Sequence, residues 1–447
     1  MHEMKDRMID TPVSGLVLRL AVPSIITMLV SNLYNIVDTA FVGLLGTSAS
    51  GAVGIVFGFM AIIQAFGFMF GQGGGSILSR SLGAGDKENA SLHASAGFFG
   101  SMFWGFIIAV IGFIWLDPIV MILGSTPTIA PYAKTYISFI LISAPFMCSS
   151  YTLNNFLRYE GKAKLGMIGM LSGAVLNMIG DPILMFGFKM GIYGAGLSTA
   201  ISQFIGWFIL FSMFRRGKTE SVLSIRQALK ASPAVMANIA ATGFPSLLRQ
   251  GLHSLTTVVL NAQCALYGDA AVAAMSIVSR LTFFTFSFAL GVGQGFQPVS
   301  AYNYGAKRYS RIRQSYRFTI MAAECIIVVG VIVLIVFAPQ LIRLLRDDAA
   351  VVAIGKRALR LQAAAYLLLP ACMVTEMLMQ STGYRLGASL LSAFRSGLLF
   401  IPSILILSHF RGLAGIQEAQ PLALILSAPI TVPFAMFFFG RLPKEDG

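Results

Sequence analysis

The sequence is poor in charge and in cysteine. Only 11% of its 447 residues are Asp, Glu, Lys or Arg, whereas a soluble protein carries about a quarter. Its four cysteines fall inside apolar segments and form no CxxC pair, so we expect small buried side chains rather than a disulfide framework or a metal site. No strand-like alternation is visible, which argues against a membrane β-barrel. A soluble enzyme is therefore excluded, and no cofactor is expected.

Long apolar segments make up most of the sequence. Hydrophobic residues make up 56% of the chain and the mean hydropathy is +0.78. Runs of at least 18 apolar residues are long enough to cross a ~30 Å hydrocarbon core as helices. The first run is too long for a signal peptide, so we expect it to be retained. The sequence predicts an all-α polytopic membrane protein with twelve transmembrane helices, at 16–43, 51–79, 91–116, 131–157, 165–187, 192–214, 237–265, 269–299, 316–339, 355–382, 386–408 and 418–440.

The positive charge of the chain is unevenly placed. The net charge is +14, and 22 of the 32 Lys and Arg residues lie in seven alternate loops and tails. This bias predicts a multi-pass membrane protein whose two termini are both cytoplasmic. We expect the basic surface to meet anionic lipid rather than nucleic acid. The seven segments are the N-terminus to Arg19, 80–91, 158–164, 215–230, 305–317, 385–395 and the C-terminus.

The chain repeats itself at an offset of 222 residues. Gly71-Gln72-Gly73 matches Gly293-Gln294-Gly295, and Pro23-Ser24 matches Pro245-Ser246. Because each repeat holds an even number of helices, both enter the membrane in the same direction, and a pseudo-twofold axis relates the lobes. We predict an N-terminal six-helix lobe at 1–214, a cytoplasmic linker at 215–236 and a C-terminal six-helix lobe at 237–447. The duplication predicts lobes that rock about a central substrate, and the alternative is a relic without mechanism.

Glycines and prolines in the repeats have separate predicted roles. The GQG glycines permit close helix approach or a sharp exit turn, and we assign them structural roles. Pro23 and Pro245 each remove an i→i−4 hydrogen bond in a helix interior. A bend at both positions suits a moving helix, but static kinks are also common in membrane bundles.

Two acids stand out among the first six helices. Asp38 lies roughly 8 Å, Asp181 roughly 9 Å and Thr199 roughly 10 Å below the outer ends of their helices at 1.5 Å per residue. Asn177 precedes Asp181 by one turn on the same helix face. Because ionisable groups in a bilayer are costly, each needs a reason. These oxygens suit Na+ or a titrating proton, unless Asp38 only forms hydrogen bonds within a water-filled vestibule.

The second half does not duplicate these acids. Leu260 aligns with Asp38, and Ser403 aligns with Asp181, so the cation site should belong to the first half alone. The second half instead has Glu324 and Glu376 in its third and fourth helices. Glu376 could attract a cationic substrate, or could pair with Arg249 or Arg280 as a structural ion pair.

These residues resemble the multidrug and toxic compound extrusion (MATE) family over essentially the whole chain, in particular its DinF- and MepA-like bacterial branch. The segments that carry the resemblance are "NIVDTAFVG" (35–43), "GQGGGSILSRSLGAGD" (71–86), "NNFLRYEGKAK" (154–164), "NMIGDPIL" (177–184), "GAGLSTA" (194–200) and "QPVSAYNYGAKRYSR" (297–311). The resemblance implies two six-helix lobes around a V-shaped cavity, in the bacterial plasma (inner) membrane. It also implies export of amphipathic, often cationic, drugs in exchange for H+ or Na+.

The resemblance also implies residue roles. The family's N-lobe cation site corresponds to Asp38, Asn177, Asp181 and Thr199, and helix bending is expected near Pro23. We assign a substrate cavity to five further residues: Tyr34, Asn35, Asn154, Gln203 and Glu376. The acid that NorM-like members carry in the seventh helix is absent here, which argues against a cation site of that type in the C-terminal lobe.

The sequence therefore predicts a monomeric transporter with no enzymatic activity, an antiporter of small amphipathic, cationic compounds coupled to H+ or Na+. Membrane lipid and drug-like small molecules are its expected partners, and nucleic acid is not. A lipid-linked precursor flippase of the same superfamily is the alternative, but it favours more helical cations and often more than twelve helices. A channel scaffold is a third class, and no filter-like repeat supports it.

Overall fold

Twelve long helices account for most of the computed structural model, which describes residues 6–444 and Asp446. No β-strand occurs in that part of the chain. Each helix matches one of the twelve predicted apolar runs, with boundaries that differ by at most seven residues. They are α1 Val13–Gly43, α2 Thr47–Gly83, α3 Lys87–Ile114, α4 Ala130–Tyr159, α5 Ala163–Gly187, α6 Gly191–Arg215, α7 Pro233–Ala265, α8 Asp269–Gly305, α9 Tyr309–Val336, α10 Ala349–Thr382, α11 Arg385–Arg411 and α12 Leu413–Arg441.

Helix α7 differs from the other eleven. Those eleven are long and apolar enough by composition to cross a membrane, whereas α7 has the length, at 33 residues, without the hydropathy. Its interior carries polar side chains, among them Asn238, Arg249 and His253. Mean hydropathy alone therefore selects eleven spans, whereas the twelfth helix that the sequence predicts, at 237–265, is present as α7.

The helix boundaries reproduce the internal repeat. Matching helices and a matching pair of short helices begin 222 residues apart, which confirms that the two halves are structurally related. These starts are Thr47 and Asp269, Lys87 and Tyr309, Leu116 and Ala338, Ala163 and Arg385, and Gly191 and Leu413.

The chain forms two compact units that do not coincide with its two halves. Among the described residues, the first unit contains 6–8 and 26–247, and the second contains 9–25, 248–444 and Asp446. Each unit thus holds most of one half together with the beginning of the other half's first helix. The predicted lobes, 1–214 and 237–447, differ from these units in the starts of α1 and α7, and the predicted linker 215–236 falls within the first unit.

Close backbone contacts at glycines hold the start of α7 in the first unit and the start of α1 in the second unit. A Cβ on Gly73 of α2 would lie 2.1 Å from the carbonyl oxygen of Ile239 in α7. In the second unit, a Cβ on Gly295 of α8 would lie 2.7 Å from the carbonyl oxygen of Val17 in α1. Both pairs keep the 222-residue offset. Small residues let helix backbones touch in membranes, so the GQG glycines have the close-approach role that the sequence predicts.

We expect Gly73→Ala to lower the free energy of unfolding by about 3 kcal/mol or more, because a backbone oxygen cannot move aside for the new methyl group. Gly58→Ala is the matched control in the same helix, where a Cβ meets nothing within 4 Å. There we expect a gain of about 0.5–1 kcal/mol, since Ala is the better helix former. Thermal unfolding of the detergent-purified variants measures both, and equal midpoints would contradict the packing role.

The segment between the halves is fixed to the first unit by a buried acid. The Glu160 carboxylate accepts the backbone N–H groups of Glu220, at 2.8 Å, and Ser221, at 2.9 Å, and also the Ser221 hydroxyl. Burial raises the pKa of Glu160. Residues 215–236 also contain the short helix Ile225–Lys230. The predicted linker is therefore an ordered part of the first unit rather than a loose tether.

The cysteines match the sequence prediction in part. Cys148, Cys264 and Cys372 are buried, but Cys325 on α9 is exposed. Apolar neighbours such as Met321 and Val329 are exposed on the same helix. An apolar side chain that faces lipid needs no cover from protein, so an apolar segment does not imply burial inside the protein.

Candidate functional site

A polar cluster is buried in the first unit, where α1, α5 and α6 meet. It contains the four residues that the sequence predicts as cation ligands: Asp38 on α1, Asn177 and Asp181 on α5, and Thr199 on α6. None of them is more than 2% exposed. Polar groups buried this deeply in an apolar setting must be satisfied by partners, by water or by an ion. The structure brings the four residues together, and their role as ligands stays a prediction.

The Asn177 amide is the centre of the hydrogen-bond network. Its Nδ2 lies 3.1 Å from Asp181 Oδ1, 3.2 Å from Thr199 Oγ1 and 3.3 Å from Ser198 Oγ. The Thr199 hydroxyl donates to the carbonyl of Ala195 at 3.0 Å, which leaves its oxygen free to accept. This network links α5 to α6 and fixes the orientation of the Asp181 carboxyl.

Asp38 brings a second carboxyl group into the cluster from α1. The hydroxyl of Tyr136 on α4 donates to Asp38 Oδ2 at 3.5 Å. The carboxyl groups of Asp38 and Asp181 are near enough for their charges to interact. Two nearby carboxylates repel when both are ionised, so the cluster is suited to a proton or to a cation.

Four oxygens of the cluster lack hydrogen-bond partners among the residues that the structure describes. They are buried and belong to four residues: Tyr34 Oη, Asp38 Oδ1, Asn177 Oδ1 and Asp181 Oδ2. Leaving a buried polar atom unsatisfied costs about 1–3 kcal/mol. Oxygen is the ligand that hard cations prefer, and a carboxylate oxygen also takes a proton. The available residues therefore fit Na+ or H+.

The five residues predicted to line a substrate cavity have different surroundings. Tyr34 lies one turn before Asp38 and belongs to the polar cluster. The side chain of Asn35 is exposed, whereas Asn154 and Gln203 are half-buried. The structure thus adds one of the five, Tyr34, to the predicted cation cluster.

Pro23 lies in the interior of α1, fifteen residues before Asp38. The helix passes from the second unit to the first between Ile25 and Ile26. Helix α7 passes from the first unit to the second between Leu247 and Leu248, just after Pro245. Each proline removes a backbone hydrogen bond at the point where its helix changes unit.

Glu376 on α10, the fifth predicted cavity residue, is fully buried in an ion triad of the second unit. Its Oε1 lies 2.7 Å from Arg249 Nη1, and its Oε2 lies 2.7 Å from Arg395 Nη2 and 3.2 Å from Arg395 Nε. The structure therefore shows the pairing with Arg249 that the sequence left open, in place of a carboxylate available to a cationic compound. Arg280 takes no part in the triad. Glu324 is half-buried on α9.

Sequence reasoning missed three residues of these two clusters. Tyr136 and Ser198 join the polar cluster, and Arg395 joins the triad. The sequence places Arg395 in a basic segment at 385–395 and also within the predicted helix 386–408, and the structure places it on α11. The depth arithmetic applied to Asp38 places Ser198 beside Thr199, but it does not give the direction in which the Ser198 side chain points.

Known proteins resemble this chain over nearly its full length. The MatE family model matches twice, at residues 23–183 and 245–406, and the two matches start 222 residues apart. A "Multidrug export protein MepA" of Staphylococcus haemolyticus is 30% identical over 98% of this chain and 97% of its own. A MepA of Staphylococcus aureus is 31% identical over 92% of each chain.

A solved structure shows the same fold. It is described as the outward-facing conformation of a multidrug resistance MATE family transporter of the MOP superfamily. Its TM-score is 0.91 at 25% identity, over 99% of both chains. This likeness confirms the predicted twelve-helix, two-lobe fold, and the family matches confirm the resemblance drawn from the sequence. The chain is a multi-span membrane protein that belongs to the MatE family of transporters.

Proposed function

We propose that the chain is a secondary active antiporter that exports small amphipathic, cationic organic compounds in exchange for H+ or Na+. The names of its relatives support drug export. The observation that carries the coupling is the set of four buried, unsatisfied oxygens around Asp38 and Asp181. We further propose that the protein works as a monomer in the bacterial inner membrane with both termini in the cytoplasm, since the positive charges favour that orientation.

The coupling step follows from charge. Entry of a proton or Na+ neutralises one negative charge in the cluster and satisfies oxygens that otherwise lack partners. One charge in a bilayer is worth about 2.5–3.5 kcal/mol, which is about 100-fold in a conformational equilibrium. A ligand shifts such an equilibrium only by its differential affinity for the two states. We propose that occupancy favours the state that releases drug outward, and that α1 responds by bending near Pro23.

The proposed preference for cationic compounds rests on the first unit. Asp38 and Asp181 carry negative charge that a bound cation and a cationic drug can compete for. Glu376 does not contribute, because Arg249 and Arg395 more than balance its charge. Competition at the acids would link export of the drug to entry of the ion.

Transport by the purified protein in liposomes tests the proposal. We expect a gradient of one coupling ion, either H+ or Na+, to drive movement of a cationic dye. A gradient of the other ion, imposed alone, should have no effect. Protein-free liposomes control for leakage. A dye that moves at the same rate with and without either gradient would contradict antiport, and transport of a lipid-linked precursor instead would favour the flippase.

A further inference from the structure

A groove of about 520 Å³ lies at one end of the second unit, where α10 ends, α11 begins and α12 ends. It lies outside both polar clusters. Its volume falls in the range of small-molecule sites, about 300–1,000 Å³. Because helix termini of a membrane protein lie near the membrane surface, the groove is placed at the level of lipid headgroups.

Two arginines give the groove its charge. Arg385 is the first residue of α11, Arg441 is the last residue of α12, and both side chains are exposed. The Arg441 guanidinium lies 4.1 Å from the ring centroid of Phe437, which holds it over the groove wall. Among the described residues that line the groove, none is acidic. The charge therefore selects an anion and disfavours a cationic drug.

The remaining lining is almost wholly apolar. Leu386 is 74% and Phe437 45% exposed, and Leu390 and Phe434 continue the same wall along α11 and α12. A free inorganic anion would gain nothing from such a wall, since it would lose water without gaining apolar contact. An acyl chain would gain apolar contact with this wall. The combination of a cationic end and an apolar wall therefore fits an amphipathic anion.

The first half has no arginine at either matching position. At the 222-residue offset, Ala163 stands for Arg385 and Thr219 stands for Arg441. Lys162 directly precedes Ala163, but it lies 3.9 Å from the carboxylates of Glu160 and Glu220. The arginines are therefore not part of the duplicated scaffold. Basic pockets between membrane helices are a known form of anionic headgroup site.

We propose that this groove binds one anionic phospholipid, with its phosphate between Arg385 and Arg441 and an acyl chain along Leu386, Leu390, Phe434 and Phe437. The proposal goes beyond the export function and does not depend on it. The bound lipid would join the ends of α11 and α12 from the membrane side.

Native mass spectrometry of the full chain, titrated with phosphatidylglycerol, tests the site. We expect one tightly bound lipid in the wild type. In the double variant Arg385→Gln/Arg441→Gln we expect about 30-fold weaker binding, because each arginine near the membrane surface contributes about 1 kcal/mol. Phosphatidylcholine should bind poorly to both, since its headgroup carries no net charge.

The matched control is Arg215→Gln/Arg216→Gln, which removes two exposed charges at the end of α6. We expect this variant to bind like the wild type, and equal loss in both double variants would overturn a specific site. A second variant, Gly387→Leu, fills the groove but keeps the arginines. The atoms nearest to its Cβ would belong to the side chains of Met379 and Phe434, at 3.2 and 3.3 Å. Undiminished binding there, or displacement of the lipid by equimolar inorganic phosphate, would also overturn the proposal.

Discussion

Asp38→Asn is expected to abolish ion-driven efflux while the protein folds at least as well as the wild type. Asn keeps the shape of the side chain but can neither ionise nor take up a proton. The loss of a charge that costs about 2.5–3.5 kcal/mol in a bilayer should leave the thermal midpoint unchanged or higher. We expect gradient-driven dye transport to fall to the rate of protein-free liposomes, whereas dye counterflow without a gradient persists.

Asp117→Asn is the matched control for this experiment. Asp117 is an acid outside the cluster, with a 71% exposed side chain that lies 2.8 Å from Lys134. We expect this variant to transport like the wild type. Gradient-driven transport by Asp38→Asn at the wild-type rate would rule out the cluster as the coupling site. If both variants lost transport equally, the effect would not be specific to the buried acids.

Glu376→Gln is expected to lower the free energy of unfolding by about 3–5 kcal/mol, because it leaves two nearly buried guanidinium groups without their counter-charge. Arg249 and Arg395 have side chains only 14% and 11% exposed, and Glu376 is fully buried. Thermal or denaturant unfolding of the purified protein measures the loss.

Glu418 provides a control that also pairs with two arginines but is more exposed to solvent. It also bridges two arginines, Arg357 and Arg411, but their side chains are 48% and 55% exposed. We expect Glu418→Gln to cost no more than about 1 kcal/mol, as exposed ion pairs do. Similar losses in the two variants would show that burial does not set the strength of the triad.

The fold was largely predictable because it depends on patterns that survive in a single sequence. Apolar runs predict all twelve helices, including α7, whose polar interior lowers its hydropathy below that of the other eleven. The exchange of helix starts between the units was not predictable. It depends on which backbone touches Gly73 and Gly295, and a glycine in a sequence does not indicate its neighbour.

The candidate site was partly predictable for a related reason. Depth along a helix places Asp38, Asp181 and Thr199 at one level, but it does not give the direction in which a side chain points. Tyr136 and Ser198 therefore could not be distinguished from the many other hydroxyls in apolar helices. The ion triad was harder to predict than the polar cluster. The contact between Glu376 and Arg395 joins α10 to α11, and sequence periodicity does not determine how these two helices are rotated relative to one another.

The exchanged helix starts also bear on how such a chain could have arisen. A six-helix half on its own would lack the segment that packs against its GQG glycine, since that segment comes from the opposite half. The half could complete its core only by taking the first helix of a second copy, which is a domain swap. The single-gene precursor of this architecture would then have been an obligate dimer, and fusion would have made its partner permanent.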